Sequence, residues 1–453
     1  MSCLATESVM AMPSLPLLSH TGNNQAVALR NGEMVSVDQF LHEVRQLAGQ
    51  LPDRQYVFNL CTDRYRFLTT FCAAMLRGQT NLLPPNHAEK TLVQMHTIYP
   101  DAYGVSDRGM ALPTLQILPY PELSNQQAAA QTIPEIDGDH LAAIVFTSGS
   151  TGEPQPHGKN WRSLVQVAQL QGERLSIRAG SQFVATVPPQ HMYGLESSLM
   201  MPLHNGGTLH SGQPLFPADI RTALMEVSAP RVLVTTPLHL RICLEEAIVL
   251  PPLSMILSAA APLNQELAQR AEKAFGAPVC EIYGCTEAGA IATRRTTEGD
   301  EWRPLTGIHL HSDSEENTWV EGEHLQVRIL LQDTIAPSDE GGFRLLGRKA
   351  DMVNIAGKRA SLAALNRQLG LIPGVRDGLF FVPDDQPGVA TRLIALVVAP
   401  GLSESAILSE LRQVIDPAFL PRPIYLVDSL PRTATGKLPR DTLIGLLGEL
   451  QRG

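Results

Sequence analysis

Residues 147–152 form a run of hydroxyl and glycine residues that could bind an anion. The run reads TSGSTG and follows an apolar stretch, Leu141 to Phe146, that predicts a buried strand. Glycine lets backbone N–H groups approach a phosphate closely, and Ser and Thr hydroxyls add further donors. Because open α/β sheets bind ligands at strand ends, we predict a phosphate-binding loop here. Its members are Thr147, Ser148, Gly149, Ser150, Thr151 and Gly152.

Two alternatives apply to this run. A kinase-type P-loop needs GxxxxGK followed by Ser or Thr. Here five residues separate Gly152 from Gly158, and Asn160 stands where the hydroxyl that holds magnesium would be. That motif therefore does not fit. The second alternative is an ordinary surface turn rich in Ser and Gly.

A second polar motif, YGCTE at residues 283–287, follows a predicted strand at Val279–Ile282. An aromatic ring can stack on a base, and a Thr hydroxyl can reach a phosphate. A carboxylate can hold the Mg²⁺ that bridges phosphate oxygens. Such a turn has little specificity alone, but its place about 130 residues after TSGSTG strengthens the prediction of a nucleotide site.

Four further segments suit the same chemistry. PPQHMYG at residues 188–194 carries a His and an aromatic residue, and SAAAPL at residues 258–263 offers small side chains. Asp333 precedes Arg348 by 15 residues, which supplies a carboxylate for hydroxyl donors and a fixed positive charge. PRTATGK at residues 431–437 ends in a lysine. Taken alone, His191 could be a hydrogen-bonded loop histidine and Lys437 a solvated surface cation.

In this order the segments resemble the motifs of the adenylate-forming superfamily, which includes acyl- and aryl-CoA synthetases, luciferases and the adenylation domains of peptide synthetases. The resemblance spans residues 147–438. It implies an acid–thiol ligase that uses ATP and Mg²⁺ to convert a carboxylic acid into an acyl-adenylate and passes the acyl group to a thiol. A mixed anhydride needs no nucleophilic side chain, and the sequence contains no GxSxG elbow.

The resemblance also implies nucleotide-binding roles. The TSGSTG loop, Tyr283 and Gly284 would bind ATP, Thr286 would reach the α-phosphate, and Glu287 would hold Mg²⁺. Asp333 would bind both ribose hydroxyls, and Arg348 would contact the ribose or the α-phosphate. The usual Thr-Gly before this Asp reads Leu-Gln here, so Asp339 is the alternative carboxylate.

The acid site follows from the same resemblance. His191 would close over the substrate carboxylate, and Lys437 would bridge that carboxylate and the α-phosphate. Asp351 would be the hinge about which the domains rotate between the two half-reactions. The acid would be lined by His191, Tyr193, Gly194, Ala260, Ala261 and Gly284. The segment between the acyl pocket and adenine would be Ser258, Ala259 and Ala260. The catalytic residues would be Lys437, His191, Thr286 and Glu287.

One position departs from the family pattern. The family usually carries a lysine after the loop proline, whereas this chain has Gln155. The usual basic contact to pyrophosphate is therefore absent, and our hypothesis is that Lys159 replaces it.

The elements that must position these motifs follow a β/α rhythm. Apolar runs such as Tyr56–Leu60, Phe183–Val187 and Val232–Thr235 alternate with amphipathic stretches such as Gln265–Phe275. We predict an α/β fold with a large N-terminal domain at residues 1–347, built from layered β-sheets covered by helices. It includes a β-rich subdomain at about residues 300–347. Residues 348–453 form a small, mobile α+β C-terminal lid domain.

Composition narrows the class of protein. The net charge of −10 argues against general nucleic-acid binding. Apolar runs are too short for a membrane span, and the N-terminus lacks a secretory signal, so a cytoplasmic enzyme is expected. The six cysteines show no CxxC spacing, which argues against a zinc site or a disulfide framework.

The phrases at residues 59–68 and 76–86, with PPQHMYGLESS, are similar to ligases of xanthomonadin and aryl-polyene pigment pathways. This similarity implies a hydroxybenzoate-type acid loaded onto an acyl carrier protein. From Arg348 onward 13 Lys and Arg stand against 10 Asp and Glu, a charge of +3 that would attract an acidic carrier protein. Coenzyme A is also anionic, so charge leaves both acceptors open. The alternatives are an aryl- or short-chain acyl-CoA ligase and a non-catalytic adenylate-binding protein.

Overall fold

The structure is a computed structural model of the 453-residue chain. It describes residues 14–123, 130–148, 154–313, 317–338, 341–348, 352–355, 358–382, 393–432, 438, 440–450 and 452. The α-helices are α1 (Val37–Ala48), α2 (Arg64–Leu76), α3 (Glu89–Ile98), α4 (Trp161–Arg174), α5 (Met192–Leu195), α6 (Met201–His204), α7 (Pro217–Glu226), α8 (Pro237–Glu245), α9 (Gln265–Phe275), α10 (Leu362–Gly370), α11 (Glu404–Val414) and α12 (Arg440–Leu450). The described residues also form a π-helical turn, Glu196–Met200, and a 3₁₀ turn, Pro417–Phe419.

The strands up to residue 300 are β1 (Ser14–Pro16), β2 (Ala26–Arg30), β3 (Glu33–Ser36), β4 (Tyr56–Asn59), β5 (Thr80–Leu83), β6 (Tyr103–Ser106), β7 (Ile117–Pro119), β8 (Glu135–Asp137), β9 (Leu141–Ser148), β10 (Pro154–Asn160), β11 (Gln182–Ala185), β12 (Thr208–His210), β13 (Arg231–Thr235), β14 (Met255–Ser258), β15 (Val279–Cys285) and β16 (Gly289–Arg295). The later strands are β17 (Arg303–Pro304), β18 (Ile308–Ser312), β19 (Thr318–Gly322), β20 (Ile329–Leu331), β21 (Asp333–Pro337), β22 (Phe343–Arg348), β23 (Met352–Ile355), β24 (Lys358–Ser361), β25 (Asp377–Phe381), β26 (Ile394–Val398) and β27 (Ile424–Leu426).

Two large sheets contain most of the strands up to residue 304, and β1 pairs with β8 in a separate small sheet. One large sheet has the order β10-β9-β5-β4-β6-β7, and the other has the order β17-β16-β15-β14-β13-β11-β12-β2-β3. Neighbouring strands from β14 through β13 and β11 to β12 run parallel, so their carboxyl ends meet at one edge. Ligands bind at such edges in α/β sheets.

Helices α1, α2 and α4 pack between the two sheets. One apolar cluster contains Phe40 of α1, Phe71 of α2 and Leu164 of α4, together with Val57 of the first sheet and Leu209 of the second. The predicted α/β fold of layered sheets and helices is confirmed in these contacts. No helix in the described part of the chain combines the length and apolar character that crossing a bilayer requires.

Local signals fix the helix ends near the site. Helix α9 begins after Asn264, whose side chain accepts from the Leu267 N–H, and ends at Gly276 in the left-handed conformation (φ 66°). Its apolar residues recur at helical spacing and are buried, so the helix occupies the predicted residues Gln265–Phe275. Helix α8 begins at Pro237, because proline suits the first turn of a helix.

The chain beyond residue 352 forms a smaller α+β unit of the predicted kind. Strands β25, β26 and β27 make a three-stranded sheet. Apolar clusters cover both faces of this sheet; one contains Phe380 and Leu411, and the other contains Leu396 and Leu447. The domain boundary at residue 348 stays a prediction. The role of residues 348–453 as a lid domain also stays a prediction.

Candidate active site

The ends of the predicted phosphate loop are fixed by an antiparallel hairpin. Strands β9 and β10 pair so that Ser148 lies opposite Pro154 and Thr147 opposite Gln155. The Thr147 hydroxyl lies 3.1 Å from Nε2 of His157. Four predicted members of the loop, Gly149, Ser150, Thr151 and Gly152, and the side chain of Ser148 lie outside the described residues.

The YGCTE motif is more extended than the sequence predicts. Strand β15 continues through Tyr283, Gly284 and Cys285, which all pair with β16, and the register shifts between Tyr283 and Gly284. The turn itself is residues 286–288. A side chain at position 284 would lie 2.2 Å from the Gly289 carbonyl oxygen, so only glycine allows the two strands to approach here.

His157 joins the two motifs. Its Nε2 atom, which lies beside Thr147, is also 3.8 Å from Oε1 of Glu287. Burial lowers the pKa of His157, and the Glu287 carboxylate opposes that shift. Glu287 keeps 44% of its side chain exposed. The structure therefore brings the predicted metal carboxylate beside the base of the predicted phosphate loop.

Lys159, the proposed substitute for the loop lysine, has a main-chain partner in the YGCTE turn. Its amine is buried and donates a 2.6 Å hydrogen bond to the carbonyl oxygen of Glu287. Gln155, where the family usually has lysine, is exposed. Lys159 therefore contacts the YGCTE turn in this structure, and its replacement of the missing loop lysine stays a prediction.

The predicted adenine and ribose residues contact each other. The Tyr283 hydroxyl donates to Oδ2 of Asp333 at 3.0 Å. The Tyr283 ring packs on Trp302 and Phe343, with ring centroids 5.5 and 5.7 Å away. Asp333 lies opposite Arg348 in the β21–β22 pair, which supports the spacing used to select Asp333. The Arg348 side chain and the alternative Asp339 lie outside the described residues.

The segment predicted to close over the acid begins α5. His191 is the N-cap residue of this helix and is partly buried. The Tyr193 hydroxyl lies 3.1 Å from the Thr235 carbonyl oxygen and 3.0 Å from that of Leu257, at the ends of β13 and β14. At Gly194 a Cβ would lie 1.9 Å from the Pro188 carbonyl oxygen, so no side chain fits there. The segment is thus held against the sheet edge.

The small-residue segment leaves the end of β14. Ser258 is fully buried and its hydroxyl has no partner among the described residues, so its side chain faces the interior. Ala259 is also buried, whereas Ala260 is exposed and Ala261 intermediate. Ala260 has a φ of +71°, a left-handed conformation that is uncommon for residues with a Cβ.

Two predicted residues cannot be compared with the structure. Lys437, the predicted catalytic lysine, and Asp351, the predicted hinge, lie outside the described residues. Thr286, the predicted contact to the α-phosphate, is partly buried in the turn beside Glu287. The roles of all three stay predictions.

Three functional candidates escaped the sequence reasoning. His157 lies beside Thr147 and Glu287, and Glu196 accepts from the Ala290 N–H at 3.0 Å. Arg64 is 1% exposed and donates to the carbonyls of Ala185 (3.0 Å) and Val187 (2.9 Å). For His157 a sequence signal existed, because it stands two residues before Lys159 on the strand that follows the phosphate loop. Glu196 and Arg64 had no such signal, because their hydrogen-bond partners are distant in sequence.

Comparison with known proteins decides the family. The model of the AMP-binding enzyme family matches residues 105–314, and that of the AMP-binding enzyme C-terminal domain matches residues 368–437. The chain is 30% identical over 310 residues to a 4-coumarate–CoA ligase of Halorhodospira halophila, covering 66% of this chain and 75% of that protein. The chain belongs to the AMP-binding enzyme family.

Other relatives agree. A 3-hydroxybenzoate–CoA/4-hydroxybenzoate–CoA ligase of Thauera aromatica is 23% identical over 383 residues, covering 75% of this chain and 73% of that protein. The structure of O-succinylbenzoate coenzyme A synthetase from Bacillus subtilis with ATP and magnesium superposes with a TM-score of 0.80 at 18% identity. That match covers 94% of this chain and 97% of the other. This AMP-binding enzyme is an adenylate-forming acid–thiol ligase, as the motif order predicts.

Proposed function

We propose that this enzyme uses MgATP to adenylate an aromatic carboxylic acid and then transfers the acyl group to the thiol of coenzyme A. One observation carries the proposal: His157 lies between Thr147 and Glu287. It places the start of the phosphate loop, on one large sheet, next to the candidate metal carboxylate on the other. The polyphosphate of ATP would occupy the space that these two segments share.

The nucleoside would lie on the neighbouring contact. Tyr283 offers a ring for adenine, and its hydroxyl orients the Asp333 carboxylate toward the ribose hydroxyls. Trp302 and Phe343 pack against the Tyr283 ring. The base and the sugar would therefore be fixed by one hydrogen-bonded pair.

The Glu287 carboxylate suits Mg²⁺ that is shared with a substrate. No group of three or more His, Cys, Asp or Glu side chains able to hold a metal occurs among the residues described by the structure. Magnesium in nucleotide sites typically uses one or two carboxylates plus phosphate oxygens and water, and a half-exposed Glu287 fits this requirement. When bound, Mg²⁺ would neutralise charge on the phosphates.

The chemistry needs two displacements. In the first, a carboxylate oxygen of the acid forms a bond to the α-phosphorus, and the bond to pyrophosphate breaks. In the second, the thiol sulfur bonds to the acyl carbon and AMP leaves. Lys437 is proposed to bring the two anions of the first step together, and rotation about Asp351 is proposed to admit the thiol.

A buried polar cluster supports an aromatic acid that carries a hydroxyl group. The His239 Nδ1 atom lies 2.9 Å from the Thr236 hydroxyl and 3.4 Å from that of Thr186, which in turn lies 3.0 Å from that of Thr235. The Tyr193 hydroxyl donates to the carbonyl oxygen of Thr235, the last residue of β13. Such groups favour a substrate that offers a hydrogen-bonding partner. The names of the coumarate and hydroxybenzoate ligases point to the same substrate class.

Coenzyme A is proposed as the acceptor because the relatives reported above are CoA ligases. The carrier protein expected from the pigment-pathway resemblance, together with that resemblance itself, stays a prediction. The charge of +3 from Arg348 onward suits either anion.

The test is pyrophosphate exchange into ATP across benzoates, cinnamates and fatty acids, with Lys437→Ala as control. Hydroxybenzoates or hydroxycinnamates should support exchange that the Lys437→Ala variant loses. Thioester formation with coenzyme A is then compared with that on a holo carrier protein, and faster acylation of the carrier would reverse the proposed acceptor. ATP binding without exchange for any acid would instead favour a non-catalytic adenylate-binding protein.

A further inference from the structure

Two buried charged side chains hold the YGCTE turn from both ends. Lys159 donates to the carbonyl oxygen of Glu287 at 2.6 Å, and Glu196 accepts from the N–H of Ala290 at 3.0 Å. Both side chains belong to residues that are 3% exposed. The two main-chain groups lie three residues apart, the separation of the C=O and N–H that close a hydrogen-bonded β-turn. Here each of these groups has a charged partner.

A purely structural turn does not need these charges. Burying a lysine and a glutamate costs more than burying a neutral hydrogen-bonded pair, and buried ion pairs are weak evidence for stability. The arrangement therefore carries a cost, which suggests that the position of this turn has a functional use.

The two side chains come from the segments that surround the proposed reaction centre. Lys159 lies on β10, the strand that follows the phosphate loop. His157 is two residues earlier, so the two side chains lie on the same face of the strand. His157 lies beside the Glu287 carboxylate, and Lys159 contacts the Glu287 main chain. One strand thus contacts both ends of the candidate metal ligand.

Glu196 belongs to a different segment from Lys159. It begins the π-helical turn that continues α5, the helix capped by His191. Gly289 has a φ of +78°, and a Cβ there would lie 2.3 Å from Oε1 of Glu196. The glycine therefore admits the carboxylate to the turn. Through Glu196, the segment proposed to cover the acid touches the turn proposed to hold the metal.

We propose that Lys159 and Glu196 are positioning residues for adenylation, which hold the Glu287 turn so that its carboxylate faces the metal on the nucleotide. The proposal rests on the proposed function of the site. Neither residue contacts the reacting atoms; both act through the main chain of residues 287–290.

The test compares neutralisation of Lys159 and Glu196 with neutralisation of an ion pair that lies on the β15–β16 hairpin itself. The Lys159→Met/Glu196→Gln double variant removes both charges together, which avoids leaving one buried charge unpaired. The control is Glu281→Gln/Arg294→Met, because Arg294 and Glu281 form a 2.6 Å ion pair on β15 and β16 away from the turn. Thermal unfolding, Mn²⁺–ATP binding, metal-free ATP binding and exchange kinetics are measured for both.

We expect the Lys159/Glu196 variant to bind metal-free ATP as the wild type does, to lose about tenfold in affinity for Mn²⁺–ATP and to lose at least tenfold in kcat, with KM for the acid unchanged. The control variant should lose thermal stability, but its ATP affinity should depend on metal as in the wild type. Equal Mn²⁺–ATP affinity in the Lys159/Glu196 variant and the wild type would overturn the proposal, as would a wild type that binds ATP no better with metal. Because binding is measured without turnover, a wild type that binds Mn²⁺–ATP but shows no exchange would refute the proposed function and leave this comparison decisive.

Discussion

The Tyr283 hydroxyl donates a 3.0 Å hydrogen bond to Oδ2 of Asp333, which is 50 residues later in the chain. This bond joins the YGCTE motif on the large sheet to the small β21–β22 pair. The alternative ribose carboxylate, Asp339, lies outside the described residues, so the role of Asp333 stays a prediction. The contact leads directly to a test of nucleotide binding.

Tyr283→Phe keeps the ring but removes this hydrogen bond. We expect KM for ATP to rise about fivefold, because a hydrogen bond of this kind contributes about 1 kcal/mol. Unfolding temperature should change little, since the packing on Trp302 and Phe343 remains. Tyr56→Phe on β4 is the matched control and should leave KM for ATP unchanged. An unaltered KM in Tyr283→Phe would argue against a ribose role for Asp333.

Arg432 anchors the start of the segment that carries Lys437. Its Nε and Nη2 atoms donate to the two carboxylate oxygens of Asp377 at 2.8 and 2.7 Å. Because this fork fixes the chain five positions before the lysine, Arg432→Gln should lower kcat for adenylation about tenfold, with little change in ATP affinity. Arg241, 3.7 Å from the same carboxylate, provides the control. Arg241→Gln should have the smaller effect, and the reverse order would contradict the anchoring role.

His204 predicts a loss of stability in acid. Burial lowers its pKa to about 3, and its ring packs on Trp161 at 5.2 Å. The unfolded chain takes up a proton near pH 6.5 while the folded chain resists it, so stability is retained above this pH and is lost as the pH falls toward 3. Between pH 7 and 5 this group should reduce the free energy of unfolding by about 2 kcal/mol.

Urea unfolding at pH 7 and pH 5 measures this dependence. The His204→Gln variant should be less stable at pH 7 but should lose less stability on acidification than the wild type. His309→Gln, at an exposed position, is the control and should keep the wild-type dependence. Equal slopes for His204→Gln and the wild type would mean that another group causes the acid sensitivity.

Arg64 should be a large contributor to the stability of the acid-covering segment. It is buried at the start of α2, bonds the carbonyls of Ala185 and Val187, and contacts the Ser198 hydroxyl. Arg64→Met leaves these acceptors without a donor and should cost about 3 kcal/mol in the free energy of unfolding. Arg221→Met, at an exposed position of α7, should stay within about 0.5 kcal/mol. Chemical denaturation of the two variants provides the comparison.

His239 should influence which acid is used. Its Nδ1 atom contacts the Thr186 and Thr236 hydroxyls, and the Thr186 hydroxyl in turn contacts that of Thr235. The Tyr193 hydroxyl donates to the carbonyl oxygen of the same Thr235. We expect His239→Phe to lower kcat/KM for a hydroxybenzoate about tenfold relative to benzoate, because a buried polar partner is lost. Parallel exchange assays with the two acids would measure the ratio. A proportional loss for both acids would indicate a packing role only.

The sequence predicted those elements whose signals are local. Helix α9 has an Asn cap, helical apolar spacing and a terminal glycine, and its bounds were predicted correctly. Strand β13 was predicted at Val232–Thr235 and begins one residue earlier, at Arg231. The motif order was specific enough to identify the family, because each motif combines an unusual composition with a fixed place in the chain.

The interior of the site was not predictable in the same way. A lysine on an amphipathic strand is normally solvated, so the burial of Lys159 depends on a carbonyl 128 residues away. The extension of β15 through Tyr283 depends on pairing with β16, which a turn-like sequence such as YGC does not reveal. Glu196 lies in a π-helical turn, for which the sequence gives no periodic signal. Tertiary contacts determine all three features.

The apolar clusters of the described residues divide at one place in the chain. Each cluster draws its members either from residues up to 345 or from residues 353 onward. Each part therefore has the apolar interior needed to fold from its own sequence. The enzyme should accordingly tolerate expression as two separate polypeptides, and activity recovered on mixing them would report their association.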